Sequence, residues 1–272
     1  MRLFPQQWGR QKPPPGIRLN SGHGLANGLI GRWLFNEGGG LWVNDLAGNN
    51  GGVLTNGPTW AAGRFGPALQ FDSVDALVTI SFTRITGYPF TLSVWTQATA
   101  GANGSPPRAL TLGKGATQYF SIGWTGTGGQ PVLAGRNAVF DAITATTIGL
   151  NIWTYLVGVF RSATDRELFV NGKSGATDTS SVTELTDATT IQIGSAFTGS
   201  LSGTVEDARV YNRALLPSEI WQLYVAPFAD MAISSPVLQY GAATAAFNPS
   251  TGFPWMQQPP FVPAKTEIVS YG

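Results

Sequence analysis

Residues 201–224, LSGTVEDARVYNRALLPSEIWQLY, constrain the fold more than any other stretch of the sequence. From Thr204 to Tyr211 the side chains alternate in character and include Val and Tyr, a pattern typical of a half-buried strand. Pro217 suits the first turn of a helix, where its missing N–H costs nothing. Apolar side chains then follow at helical spacing: Leu216, Ile220, Leu223 and Tyr224. Because a helix of about two turns is marginal alone, we expect a strand and a short helix, near 217–224, that docks on a sheet.

The rest of the chain favours many short strands over long helices. It contains 35 glycines and 18 prolines, and only 11% of its residues are charged, which is typical of a chain with many turns. Phe90–Ala98 alternates in polarity, whereas Trp153–Phe160 is apolar on both faces, as expected of a central strand covered on both sides. Asn171-Gly172 is a strong signal for a two-residue hairpin turn. These patterns predict an all-β sandwich or jelly roll.

Several motifs, in order along the chain, carry a family resemblance. They are GLIGRWLFNEGGG (28–40), DLAGNNGGVLTNGPTW (45–60), GRFGPALQFDSVDALVTI (63–80), FTLSVW (90–95), ELFVNGK (167–173) and the 201–224 stretch. In these motifs the chain resembles the laminin-G-like, concanavalin-A-like jelly-roll proteins, including those predicted in tailed phages and prophages. The resemblance covers about residues 28–225 and implies one β-sandwich jelly-roll domain. It implies little about function, because this fold serves lectins, adhesion modules, glycosidases and virus structural proteins.

Two segments outside this domain differ from it in composition. Residues 1–27 contain three consecutive prolines and only positive charges, and residues 226–272 combine seven prolines and seven aromatic residues with three charges. A solvated linker would be more charged and less aromatic than residues 226–272. We therefore expect an N-terminal and a C-terminal arm that pack on the domain or on a neighbouring copy, with a disordered leader as the alternative for 1–27. The candidate assembly contacts are Phe4, Trp8, Phe253, Trp255 and Phe261.

Composition also excludes several classes of partner. The chain has no cysteine, which excludes disulfides and thiolate metal sites. Its net charge is +1, so no basic groove for nucleic acid is expected. The sequence contains no run of about 18 apolar residues and therefore predicts no membrane span. Residues 1–16 lack the apolar core of a secretory signal. The sequence therefore predicts neither nucleic acid nor membrane as a partner.

The acidic residues and the histidine do not form a recognisable catalytic pattern. Glycoside hydrolysis uses two carboxylates about 5–10 Å apart, and the E-x-D-x-x-E spacing of the glucanase branch of the resembled fold does not occur in this sequence. Glu206 and Asp207 are adjacent and are expected on opposite faces of their strand. His23, the only histidine, lies in the N-terminal arm and is expected to be a contact residue. The sequence predicts no enzyme, with a carboxylate pair assembled from distant loops as the open alternative.

Calcium is the one ion that the residue types favour, since it takes oxygen ligands from carboxylates, Asn side chains and backbone carbonyls. Zinc and iron sites need more nitrogen or sulfur ligands than this chain contains. The resemblance implies a calcium ion beside the sheet, held by Asp45 in a Gly/Asn-rich loop and by Asp207. At Asp75-Ala76 the family often has Asp-Asp, and this departure removes one candidate ligand. The alternative is that Asp45 caps its own loop and Asp207 pairs with Arg209 or a loop N–H.

Glycan binding would use exposed aromatic side chains as platforms for sugar rings, beside polar donors. The candidates near loops are Trp42, Trp60, Trp124 and Tyr119. By contrast, three tryptophans within predicted strands are expected in the core: Trp33, Trp95 and Trp153. The loop aromatics do not by themselves distinguish a platform from a packing residue.

The leading hypothesis is a non-enzymatic virion structural protein, such as a capsid decoration, head-fibre or tail component. It would assemble with itself and with other virion proteins through its arms, and its location would be the virus particle. The low-charge arms, the missing secretory signal and the missing catalytic pattern motivate this hypothesis. The alternative is a lectin-like adhesion module that recognises cell-surface glycan, which a virion protein could also contain. A glycoside hydrolase is the third.

Overall fold

Two antiparallel sheets pack face to face and form the all-β sandwich that the sequence predicts. The computed structural model describes residues 11–99, 107–126, 129–137, 139–197 and 199–232. In this part of the chain, two eight-stranded sheets contain all but two of the strands. No helix in the same part is long and apolar enough to span a bilayer.

The first sheet, called the front sheet, runs from one edge to the other in the order β12 (Val139–Thr144), β11 (Pro131–Asn137), β10 (Gln118–Trp124), β9 (Arg108–Gly115), β16 (Thr190–Ile193), β7 (Leu77–Ser81), β4 (Gly52–Thr55) and β3 (Trp42–Val43). The second, the back sheet, has the order β15 (Lys173–Asp178), β14 (Asp165–Val170), β13 (Thr154–Ser162), β8 (Phe90–Ala98), β17 (Ser202–Tyr211), β6 (Pro67–Asp72) and β5 (Thr59–Ala62), with β2 (Leu29–Trp33) also paired to β17. The remaining elements are β1 (Arg18–Leu19), which pairs with β18 (Met231–Ala232), a 3-10 turn (Gly24–Ala26) and α1 (Pro217–Val225).

The largest apolar cluster lies between the two sheets. Val78 and Ile80 of β7 point into it from the front, and Leu92 and Val94 of β8 point into it from the back. None of the four side chains is exposed. Since successive side chains of a strand point to opposite faces, the residues between them face away from this core.

A second apolar cluster covers the outer face of the back sheet. Strand β13 contributes to both clusters, because Leu156 faces the inter-sheet core while Tyr155 faces the outer layer. This arrangement confirms the prediction of a central strand covered on both sides. Trp95, as expected in the core, stacks on Tyr155 at 5.1 Å between ring centroids.

Helix α1 supplies part of that outer layer and begins as predicted at Pro217. The Glu219 carboxylate accepts the Leu216 N–H at 2.8 Å and pairs with Arg213, which fixes the first turn. Ile220 and Leu223 are buried, whereas the predicted apolar stripe fails at Leu216, which is 62% exposed. Its backbone is extended because it is the N-cap residue, so its side chain lies outside the helical face.

The turns after β14 and after β6 connect their strands in different ways. Asn171 and Gly172 have φ angles of 52° and 80°, and this confirms the predicted hairpin turn between β14 and β15. The turn after Asp72 behaves differently, because β6 belongs to the back sheet and β7 to the front sheet. That turn carries the chain across the edge of the sandwich instead of closing a hairpin.

A β-bulge in β17 changes the predicted facing of the two adjacent acids. Asp207 has a φ of 50°, and the register with β8 shifts between Glu206 and Arg209. Val205 and Ala208 both point into the inter-sheet core although they are three residues apart. The expectation that Glu206 and Asp207 lie on opposite faces is therefore wrong, since the extra residue turns both carboxylates toward the outer layer.

Asp207 forms the centre of a buried ion network on that outer face. Arg32 Nε lies 2.9 Å from its Oδ1, and Arg209 Nη2 lies 2.6 Å from its Oδ2. Arg32 Nη1 also contacts Asp230 at 2.7 Å, and both guanidinium groups donate to the Pro227 carbonyl. Burial alone would raise the pKa of Asp207, but the charges and hydrogen bonds of Arg209 and Arg32 outweigh it and hold that pKa below its ordinary value.

The described portions of both predicted arms pack on the same outer layer. Ile17 and Phe228 belong to the second apolar cluster, and β1 pairs with β18. Lys12 is buried, and its Nζ lies 3.0 Å from Glu206 Oε1. Burial lowers the pKa of Lys12 and raises that of Glu206, which reflects the cost of removing this pair from water. The compact body therefore extends beyond 28–225 on both sides.

We expect Asp207→Asn to destabilise the fold strongly. The substitution leaves Arg32 and Arg209 buried with one compensating carboxylate fewer, and breaking a buried pair in this way costs about 3–5 kcal/mol. The free energy of unfolding, from urea denaturation of both proteins, measures this difference.

Asp187→Asn is the matched control for a pair on the surface. Lys114 and Asp187 form an ion pair whose side chains are 46% and 52% exposed, so the change should cost below about 1 kcal/mol. Equal losses for the two variants would contradict a special role for the buried network.

Candidate functional site

A cleft of about 640 Å³ opens on the outer face of the front sheet, near the edge formed by β3, β4 and β7. Val78 and Ile80 of β7 point into the core, so Thr79 and Ser81 point outward into the cleft. Within the described residues, the lining is Trp42, Asn49, Asn50, Gly51, Val53, Thr55, Thr79 and Ser81. These described side chains are aromatic, amide, hydroxyl or aliphatic, and none of them is charged.

Trp42 is the aromatic wall of the cleft. It lies on edge strand β3, where its neighbour Val43 is buried while Trp42 itself is 51% exposed. A Cβ atom on Gly51 would lie 2.1 Å from Cζ2 of the indole, so only glycine at that position lets the ring rest on the loop. The indole is thus held in place while about half of its surface remains open to solvent.

The loop opposite Trp42 is held by Asp45. Its Oδ1 accepts the N–H groups of Arg32 and Ala47, each at 2.9 Å. Its Oδ2 accepts the backbone N–H of Asn50 at 3.2 Å and the side-chain amide of Asn50 at 3.0 Å. The buried Trp33 indole donates to the Asn50 carbonyl at 2.9 Å. These bonds place the Asn49 and Asn50 side of the cleft before any ligand arrives.

The two predicted calcium ligands have other partners in the structure. Asp45 accepts four N–H groups of its own loop and of β2, which matches the alternative of a loop cap. Asp207 is buried between two guanidinium groups, whose positive charges would repel a cation. In the described residues, no group of three or more His, Cys, Asp or Glu side chains converges to hold a metal ion. Calcium binding at Asp45 stays a prediction, while the arrangement at Asp207 opposes it.

The four aromatic candidates for a glycan platform have different environments. Trp42 lines the cleft, and Trp60 is half-buried with its Nε1 donating to the Gly40 carbonyl at 2.9 Å. Trp124 and Tyr119 are buried and cannot present a ring to a ligand from solution. The sequence analysis missed Asn49, Thr55, Thr79 and Ser81 as lining residues. For Thr55, Thr79 and Ser81 the available signal was that they alternate with apolar residues along their strands. For Asn49 it was the position in the Asn-rich loop.

The residues considered for catalysis lie away from the cleft. Glu206 accepts the N–H groups of Arg64 and Phe65 and pairs with Lys12, and Asp207 is held by its two arginines. His23 caps the 3-10 turn, since its Nδ1 accepts the Leu25 N–H at 3.2 Å. The predicted assembly contacts lie outside the described residues: Phe4, Trp8, Phe253, Trp255 and Phe261.

Solved structures with this architecture include domain 4 of AbnA, a GH43 extracellular arabinanase from Geobacillus stearothermophilus, in complex with arabinotriose. The TM-score is 0.60 at 18% identity, and the match covers 72% of this chain and 98% of that one. The binding domain of Paraclostridial Mosquitocidal Protein 1 matches with a TM-score of 0.58 at 16% identity over 75% of this chain and 53% of that one. A sialidase from Trypanosoma rangeli matches with a TM-score of 0.56 at 17% identity over 74% of this chain and 33% of that one. Identities this low show a shared fold.

Sequence comparison gives a family assignment. Residues 72–221 match the family model Laminin_G_3, described as the concanavalin A-like lectin/glucanases superfamily. This match extends from the end of β6 into α1 and so includes most strands of both sheets. No curated protein matches the sequence significantly.

We expect Asp45→Ala to loosen the cleft loop and to lower the free energy of unfolding by about 1–3 kcal/mol, because four N–H groups lose their acceptor. Urea denaturation measures the loss. Asp72→Ala is the matched control, since Asp72 accepts the N–H groups of Val74 and Ala76 in a turn between the sheets. It should cost less, because two N–H groups lose their acceptor instead of four, and it should leave the cleft loop unchanged.

The same bonds make a prediction about calcium. Because the oxygens of Asp45 are occupied by N–H donors, the melting temperature of the wild type should be equal with calcium and with a chelator. A calcium-dependent rise that Asp45→Ala abolishes would instead establish the metal site that the sequence suggests.

Proposed function

Because the chain belongs to the concanavalin A-like lectin/glucanases superfamily, we propose that it is a non-enzymatic glycan-binding protein whose cleft takes a neutral sugar against Trp42. The observation that carries this proposal is the half-exposed indole held beside prearranged amides and hydroxyls on the outer face of the front sheet. Two structural neighbours support recognition of a sugar: one is a domain of an extracellular arabinanase in complex with arabinotriose, and the other is the binding domain of a mosquitocidal protein.

The chemistry of the cleft suits a sugar ring. One face of a pyranose or furanose carries mostly C–H groups and packs on an indole, while its hydroxyls need donors and acceptors at the rim. Trp42 provides the flat apolar surface, and Asn49, Thr79 and Ser81 provide polar groups around it. Because the loop is already held by Asp45, little conformational entropy is lost on binding.

The lining also favours binding without hydrolysis. A glycosidase of the ordinary kind places two carboxylates about 5–10 Å apart across the scissile bond. Within the described residues the cleft wall holds amides and hydroxyls in place of acids. The adjacent acids Glu206 and Asp207 lie on the back sheet, buried in ion pairs. We therefore propose that this domain binds a glycan without hydrolysing it.

Trp42→Ala should weaken binding of neutral oligosaccharides by tenfold or more, which corresponds to about 1.4 kcal/mol, because the stacking surface is lost. A glycan array identifies the ligands of the wild type, and isothermal titration calorimetry then compares the two proteins on arabinotriose and on the strongest neutral ligand of the array.

Trp221→Ala is the matched control. Trp221 lies on α1, which covers the back sheet, and is 46% exposed. The change therefore removes a similarly exposed indole that is not part of the cleft on the front sheet. Its affinity should equal that of the wild type. Unchanged binding by Trp42→Ala, or hydrolysis of the ligand during titration, would contradict the proposal.

A second proposal concerns assembly. We propose that the chain serves as a structural component of a virus particle and joins neighbouring copies through its terminal arms. One structural observation favours it: the described ends of both arms lie on one outer layer, where Leu19 pairs with Met231. Arms that leave the domain from a common layer can contact a neighbour together.

Trimming the arms tests this role, and the structure shows where to cut. Removal of residues 1–27 would take away Lys12 from Glu206, and removal of 226–272 would take away Asp230 from Arg32. A chain of residues 11–232 keeps both pairs. We expect multi-angle light scattering to give an oligomer for the full chain and a folded monomer for 11–232; monomers in both cases would contradict self-assembly through the arms.

A further inference from the structure

We propose that the glycan site continues beyond the cleft to a second subsite on Trp60, so that the ligand is an extended neutral polysaccharide chain. This inference rests on the proposed function, because the second subsite would bind another part of the same glycan that occupies the cleft. It concerns a separate groove, formed at the edge of the back sheet, with its own aromatic side chain.

The second groove has a volume of about 480 Å³, and none of the described residues in its wall is charged. Its lining, within the described residues, is Gly38, Trp60, Ala61, Ala62, Gly63, Gly66 and Pro67. Small side chains around a single large ring leave that ring as the main apolar surface. This is the composition expected of a stacking site for an uncharged ring.

Trp60 is fixed in position. Its Nε1 donates to the Gly40 carbonyl at 2.9 Å, and its ring packs partly on the inter-sheet core. The indole therefore has one orientation before a ligand arrives, as Trp42 has in the cleft. A ring that is already ordered before binding loses less conformational entropy than a freely rotating one.

Strand β5 supplies the polar groups that the lining side chains lack. It is the last strand of the back sheet, and in the described part of the chain its ladder partner is β6. The backbone N–H and C=O groups on its other side consequently face outward. Sugar hydroxyls can donate to these carbonyls and accept from these N–H groups.

The segment Gly38–Trp42 connects the two grooves. Gly38 lines the Trp60 groove and Trp42 lines the cleft, and four residues span at most about 14 Å. A Cβ atom on Gly39 or Gly40 would meet no atom within 4 Å, so the surface above the segment is open. One oligosaccharide can therefore cross it and stack on both indoles.

A second copy of the chain is the competing occupant, because outward-facing strand edges also attract other strands. The aromatic ring and the open path to the cleft favour the sugar chain. Mass measurements with and without a substitution in the groove distinguish the two occupants.

The test measures affinity against chain length. Calorimetry on ladders of arabino- and cello-oligosaccharides, from disaccharide to hexasaccharide, should show for the wild type an increase of tenfold or more once the chain reaches both subsites. Trp60→Ala should remove this increase and leave disaccharide affinity unchanged. Trp42→Ala should weaken binding at every length.

Ala62→Glu is a second variant that leaves Trp60 in place. Ala62 is exposed in the groove wall, so a charge there should block the sugar chain without disturbing the core. It should reproduce the loss of the length effect seen with Trp60→Ala.

The outcomes separate this inference from the proposed function. Equal wild-type affinity at all lengths, with binding still dependent on Trp42, would overturn the second subsite alone. Failure to bind any member of either ladder and any neutral glycan of the array would overturn both. A change in oligomeric mass by Ala62→Glu would also overturn the subsite, because it would place a second copy in the groove.

Discussion

The structure depends on a buried network of ion pairs that joins β2, β17 and the segment after α1. Arg32 and Arg209 face Asp207 and Asp230 with all four side chains buried, where each charge alone would be very costly. Two positive and two negative groups together compensate one another, and the Pro227 carbonyl accepts from both guanidinium groups. Such a network stabilises one arrangement of these three elements, since any shift of one strand would leave a buried charge without its partner.

Arg32 also connects this network to the proposed glycan site. Its side chain belongs to the buried ions, while its backbone N–H donates to Asp45 and its carbonyl accepts the N–H of Leu46. Asp45 in turn holds the loop that faces Trp42. The cleft on the front sheet and the ion network on the back sheet thus share one residue of β2. The loop of the cleft is therefore connected to the buried ion network through Arg32.

The local chain predicts those features that depend on near neighbours. The hairpin at Asn171-Gly172 requires two left-handed residues, and few residue pairs other than Asn-Gly allow them. The helix start at Pro217 is also a local feature, because an N–H in the first turn has no partner within the helix and proline lacks that group. The bulge at Asp207 could not be predicted in this way, because an acidic residue with positive φ is favoured here by the arginines that surround it, and they come from distant strands. Strict alternation gave the wrong facing for Glu206 and Asp207 for this reason.

By itself the sequence determined the class of fold and its strand periodicity, because alternation of apolar side chains is a local property that records which face meets a core. It also indicated Trp42 and Trp60 as candidate platforms, yet it could not separate them from Trp124, which the sequence likewise places near a loop. The packing of the two sheets determines that Trp124 is buried and that Trp42 is open to solvent. Exposure depends on what the other sheet and its loops place over each residue, and those contacts join positions far apart in the chain.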